Sequence, residues 1–214
     1  MAYLYYPMWK SILAWYYKRQ ALKALERKRY ADAERILQRI ADMQPLDAEW
    51  SFRRAVAVLE QQDFSQALRF LNDTLRQDPK HADAHLNLGY IYHELGNDAE
   101  ALTHLTEAIR LQPKSGKAYY NRARIFMEKG EYPTALTDLD QAIRYDPTAE
   151  AYNNRGLTYY RLEEYAKALA DFDQAIALNP KYAGAYQNRA QTKYALRDYE
   201  GFNADSDQAH ALMQ

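Results

Sequence analysis

The sequence predicts an all-α chain built as a solenoid of helical hairpins, about 12 helices in all. Three observations predict it. Pro45, Pro79, Pro113 and Pro147 are spaced by 34 residues and Pro180 follows after 33. Each proline follows a polar residue (Gln44, Asp78, Gln112, Asp146, Asn179) and ends an amphipathic pattern, as where a helix stops before the chain turns. Between prolines lie two stretches of about 12–14 residues with apolar or small residues at i, i+3, i+4 and i+7.

Composition limits what such a chain can do. With 48% hydrophobic and 14% aromatic residues over 214 positions it has enough apolar mass to fold. It has no cysteine, which excludes disulfides, thiolate metal sites and a cysteine nucleophile. The 28 Lys+Arg and 29 Asp+Glu are unevenly placed, because residues 1–39 hold 9 of the basic and 3 of the acidic residues. The bulk of the chain lacks the continuous basic face that phosphate binding needs, so no nucleic-acid partner is expected.

The elements follow in order. Residues 1–13 read as an aromatic extension merging into the first helix. The run MAYLYYPMWKSILAWYY lacks the positively charged start of a secretory signal. Interrupted by Pro7, Lys10 and Ser11, it falls short of the roughly 20 apolar residues of a spanning helix. Pro7 suits the first turn of a helix running to about Lys28, about two turns longer than its counterparts. Two readings of that helix stand. In one it caps the open end of the array with Met8, Trp9, Ile12, Leu13 and Tyr16. In the other the aromatic and basic residues 1–29 contact a membrane surface.

Six repeats follow, at 14–47, 48–81, 82–115, 116–148, 149–182 and 183–214, forming a single domain over 14–214. Small residues recur where helices must approach: Ala55, Gly89, Ala123, Gly156 and Ala190 in first helices, Ala33, Ala67, Ala101, Ala135 and Ala168 in second helices. Tyr92, Phe126 and Tyr159 lie one turn on, with Leu71, Leu105, Leu139 and Phe172 across the pair. Asp63, Asn97 and Asp198 are expected to cap second helices, and Asp47, Ser115 and Thr148 first helices. Pro133 fits a first turn, and the residue missing from the 33-residue interval falls in the loop after Pro147.

This pattern resembles the tetratricopeptide repeat family. Tyr152, Gly156, Tyr159, Ala168, Phe172, Ala175 and Pro180 match its repeat, with Arg155 where the family has Leu. The first repeat departs at Gln20-Ala21 and Ile40-Ala41, the last at Phe202, Ser206 and His210; both read as terminal caps with a more polar outer face. The resemblance covers residues 14–214. It implies a right-handed solenoid and a non-catalytic, cytoplasmic protein-interaction module: an adaptor, scaffold or assembly factor. The alternative keeps the same solenoid but holds it at a membrane through the N-terminal helix.

No GxSxG, Gly-rich phosphate loop or HExxH occurs, so no catalytic residue, cofactor or metal is expected. His81 and His85 are four apart, but no third ligand is placed with them. Asp138/Asp140, Asp171/Asp173 and Asp205/Asp207 repeat in phase with Arg122, Arg155 and Arg189. The expectation is an Arg–Asp bridge within or between hairpins, worth at most about 1 kcal/mol if exposed; the alternative is an anion-binding arginine row. Arg54 breaks the rule, since its repeat offers Phe70 and Asn72.

The resemblance implies that first helices line the concave side. The inward stripe is then polar and aromatic, and the candidate peptide-binding residues are Asn87, Tyr90, Tyr120, Asn121, Arg124, Asn153, Asn154, Tyr160, Arg161, Asn188 and Tyr194. Asn87, Asn121, Asn154 and Asn188 occupy one slot in four successive repeats. An amide both donates and accepts, so such a row either pairs with an extended peptide backbone or bonds across repeats. Exposed tyrosines add contact area with a polar tip. A Lys/Asn carboxylate clamp is absent, because Leu86/Tyr90, Tyr120/Arg124 and Asn153/Leu157 stand at its positions.

Overall fold

The computed structural model describes residues 6–214, with side chains described at Trp9 and from Ser11 onward. Among the described residues there are 12 helices and no strand: α1 (Tyr6–Glu26), α2 (Tyr30–Met43), α3 (Ala48–Leu59), α4 (Phe64–Gln77), α5 (Ala82–Glu94), α6 (Asp98–Leu111), α7 (Gly116–Glu128), α8 (Tyr132–Tyr145), α9 (Ala149–Arg161), α10 (Tyr165–Leu178), α11 (Ala183–Ala195) and α12 (Tyr199–Met213). The shortened interval lies where expected: residues 146–148 join α8 to α9, one fewer than the 112–115 joining α6 to α7.

Helix ends are set by local chemistry. The N–H groups of Trp50, Gln66, Ala118, Ala151 and Gly201 donate to the side chains of Asp47, Asp63, Ser115, Thr148 and Asp198, at 2.9–3.4 Å. Asn97 makes no such bond, contrary to expectation. Asp98 and Glu100 in the first turn of α6 instead meet the helix dipole with negative charge. A cap the sequence did not suggest sits at His81, whose Nδ1 accepts the Ala84 N–H at 3.2 Å while its ring packs on Phe52.

A left-handed residue recurs once per hairpin, at Lys28, Gln62, Gly96, Gly130, Glu163 and Arg197, with φ of 53–77°. In each turn the next N–H reaches back to a carbonyl of the finishing helix, as Asp63 does to Val58 and Glu131 to Phe126, at 2.8–3.0 Å. Only two of the six are glycine. The other four bear a steric cost of about 1–2 kcal/mol each.

The chain divides into two compact units, with the boundary after Ile91, inside α5. In the first unit α1 packs on α2, α2 on α3 and α3 on α4. Ala33, Ala55, Ala67, Leu37, Ile40 and Leu71 are fully buried there, with Leu37 and Ile40 clustered on Ala14 and Ala21, and Ala33 on Ala24 and Ala57. In the second unit each helix from α6 to α12 packs on the next, and α9 also touches α7 and α11. First helices there stand side by side. Gly156 shows how close the helices come, because a Cβ on it would lie 2.8 Å from the Phe172 ring.

The cap reading of α1 needs correction. Trp9, Ile12, Leu13 and Tyr16 are exposed rather than covering anything, and the Met8 side chain lies outside the described residues. The helix packs instead through Ala14, Ala21 and Ala24, with Ala14 and Ala21 against Leu37 and Ile40. Small residues let the two backbones approach with Tyr17 packed beside them, and Trp9, Trp15 and Tyr16 are left exposed.

Candidate functional site

The arginine slot resolves first. In the second unit each guanidinium grips the aspartate 16 residues ahead through Nε and Nη2: Arg122 on Asp138 (2.8 and 2.9 Å), Arg155 on Asp171 (2.8 and 2.7 Å), Arg189 on Asp205 (2.8 and 2.6 Å). The remaining Nη1 reaches the preceding second helix, donating to Thr106 (3.2 Å), Asp140 (2.7 Å) or Asp173 (2.5 Å). Each arginine therefore joins three helices. Each also lies over the tyrosine one turn before it, Tyr119, Tyr152 or Tyr186, at 5.5–5.8 Å.

The three gripped aspartate side chains are only 5–6% exposed, so the limit for an exposed pair does not apply to them. Hydrogen bonds to these carboxylates outweigh burial and raise the arginine pKa values above their ordinary range. Burial pushes the Asp205 carboxyl up, but hydrogen bonds from Arg189 and Lys193 overcome it and hold the group below its ordinary value. With their donors committed in this way, the arginines do not form an anion-binding row.

The candidate recognition residues are placed by the same framework. Tyr120, Asn121 and Arg124 stand on α7, Asn153, Asn154, Tyr160 and Arg161 on α9, and Asn188 and Tyr194 on α11. Asn87 and Tyr90 stand on α5 in the first unit, where the Tyr90 ring meets Phe64 edge-on at 6.3 Å. In the second unit the polar side chains form a connected row. Asn154 donates to the Tyr120 hydroxyl at 3.2 Å, Asn188 donates to the Asn153 carbonyl at 2.8 Å, and Asn153 lies 3.5 Å from Asn154.

The amides thus bond across repeats, and not in a straight column: Asn188 pairs with Asn153 rather than Asn154. Asn153, expected to face a ligand, is buried and instead orients Asn188. Tyr120 is largely buried, which raises its pKa, while Arg124 and the Asn154 bond oppose that shift and Glu150 adds to it. Burial likewise raises Tyr182, followed by the nearness of Tyr120 and Glu150. Arg124 is paired with Glu94 at 3.2 Å. Tyr160 packs on Tyr165, and Tyr194 on Tyr199 and Phe202, at centroid distances of 5.3–5.6 Å. Tyr194 and Arg161 remain open to solvent.

One participant escaped the sequence reading. Tyr182 holds the slot filled by the capping residues Asp47, Ser115 and Thr148 in other repeats, and a tyrosine there was the available signal. His93 is buried with its ring nitrogens 3.1 Å from Asp98 and 3.4 Å from Glu128. No group of three His, Asp or Glu side chains able to hold a metal occurs among the described residues.

Comparison with known proteins agrees with this architecture. No curated protein matches the chain. The crystal structure of MamA is similar at 25% identity and a TM-score of 0.65, covering 72% of this chain and 90% of that one. Pseudomonas aeruginosa PilF is similar at 17% identity and a TM-score of 0.81, covering 95% and 93%. Cut9 in the APC/C heterotetramer Cut9–Hcn1 gives 17% identity and a TM-score of 0.82, covering 93% of this chain and 40% of that one. The last two likenesses concern the fold alone. A family model described as tetratricopeptide repeat matches residues 18–72, 57–116 and 120–183, and the chain belongs to that family.

Proposed function

We propose that this chain is a non-catalytic adaptor, scaffold or assembly factor whose second unit binds an extended peptide or partner segment along the first-helix face of α7, α9 and α11. One observation supports this above the others: the polar row on that face is held through Tyr120, Asn153, Asn154 and Asn188 but is not saturated. Asn121 makes no side-chain hydrogen bond among the described residues, Asn188 spends one N–H and keeps its carbonyl, and Tyr120 accepts from Asn154 while its own O–H stays available. A row with spare donors and acceptors suits the alternating N–H and C=O of an extended chain. Exposed Tyr194 and Arg161 flank it with contact area and charge. Cut9, of similar fold, is seen assembled with Hcn1.

The test is a display selection of random extended peptides on the whole chain, followed by affinity measurement. The combined Asn121→Ala and Asn188→Ala substitution should weaken selected peptides about tenfold or more. Thr137→Ala and Gln174→Ala, on the second helices α8 and α10, should change nothing. Failure to enrich peptides, or equal binding by the amide variant, would remove the proposal.

A further inference from the structure

We infer that the outward face of α1 docks on an anionic lipid surface. At about 100° per residue, the residues of α1 that pack inward (Ala14, Ala21, Ala24) lie away from Trp9, Ile12, Trp15 and Tyr16, while Leu13 stands at the edge, about 20° from Ala24. Those five side chains are 43–66% exposed. A single exposed apolar residue is ordinary, whereas four on one side of a helix with Leu13 at its edge, two of them tryptophan, form a patch that marks a contact surface.

The same outward sector changes character along the axis. Beyond Tyr16 it carries Arg19 and Lys23, and Arg27 follows just past the end of α1; all three are exposed. Arg19 lies over the Trp15 ring at 5.8 Å, and Lys23 and Arg27 form no ion pair among the described residues. Glu26 is the only acidic residue of α1.

Both halves of this face suit one occupant. Tryptophan and tyrosine have an apolar body and a polar tip, the combination that settles at a membrane–water interface. Each basic side chain near an anionic leaflet strengthens binding about fivefold. Residues 40–214 hold 19 Lys+Arg against 26 Asp+Glu, so the same leaflet attracts α1 and repels the rest, which orients the molecule. No described helix is long and apolar enough to cross a membrane, which leaves α1 lying along the surface. A second copy meeting this face in parallel would set Arg19, Lys23 and Arg27 against themselves. The inference is independent of peptide binding by the second unit.

Flotation of the full chain with vesicles tests it. Binding is expected to vesicles of phosphatidylcholine with phosphatidylserine, not to phosphatidylcholine alone, and should weaken as salt rises. Replacing Arg19, Lys23 and Arg27 together by Gln should lower partitioning about a hundredfold. Trp9→Ala with Trp15→Ala should also release the protein; all five positions are exposed, and circular dichroism checks that the variants stay helical. Absence of flotation, or flotation unchanged in both variants, would overturn the inference. So would a dimer seen by sedimentation without lipid and lost with Trp9→Ala and Trp15→Ala, which would assign the face to a second copy.

Discussion

Arg54 and Arg155 hold the same slot of a first helix, one in each unit, and bond in opposite directions along the chain. Arg155 reaches forward to buried Asp171 and uses its spare nitrogen on Asp140 behind it. Arg54 finds Phe70 in the forward position, lies on that ring at 4.1 Å, and turns its hydrogen bonds back to Glu34 and Gln38. A cavity of about 380 Å³ opens beside it, lined by Leu46, Arg69, Phe70 and Arg76 among others. The difference teaches that where the slot holds an arginine, the neighbouring columns decide which helices it joins.

Breaking the forward grip should have the largest effect. Arg155→Ala leaves Asp171 buried without its cation and should cost about 3–5 kcal/mol, read as loss of hydrogen-exchange protection in α9 and α10. Adding Asp171→Ala should recover part of that loss; strictly additive effects would show that the pair does not interact.

Grafting the second-unit arrangement onto the first sharpens the comparison. Phe70→Asp places a carboxylate 16 residues after Arg54, whereas Phe70→Asn offers only a neutral amide. Both lose a buried aromatic, a change of about 3–5 kcal/mol. Asp should nevertheless be the milder of the two by about 1 kcal/mol in denaturant midpoint, reversing the usual order at a buried site.

Acid should loosen the α11–α12 hairpin through Asp205. Its carboxyl is held below the ordinary value, so its contribution is complete above the unfolded value near pH 3.9 and disappears as pH falls through the lower folded value. Melting temperature followed from pH 5 to pH 2 should therefore fall more steeply for wild type than for Asp205→Asn. The smallest contrast lies at the caps. Asp63→Ala should cost about 1 kcal/mol and Asn97→Ala close to nothing, since only Asp63 accepts a bond from its helix.

Much of the fold was legible because its punctuation is chemical. In-phase prolines and capping side chains placed most helix ends within a residue or two, and recurring alanines marked the crossings. Other features lay outside what a column of residues can say. Glu34 stands one turn before the Gln38 slot, so comparing repeats position by position reaches Gln38 but not the acidic partner of Arg54. Four of the six left-handed turn residues are not glycine, and only their phase with Gly96 and Gly130 betrays them. Periodicity identified the aromatic stripe of α1 without telling which side packs. The small-residue side won because it lets the helices come closer. At the candidate site the Asn slot was legible, but a residue type cannot say whether its amide turns to a neighbour or a ligand. Asn188 turns to Asn153, and that choice depends on helix spacing rather than on composition.

The central claim is that arginines hold the second unit together while its first-helix face does the binding. Site-specific photo-crosslinking in native lysate tests this most directly, with the crosslinker placed at Gln187, Gln191 or Tyr194 of α11 and, separately, at Thr137 of α8 or Gln174 of α10. All five positions are exposed. The account predicts a shared partner adduct from the α11 positions and none from α8 or α10. Adducts confined to α8 and α10 would contradict it and move recognition to the second helices.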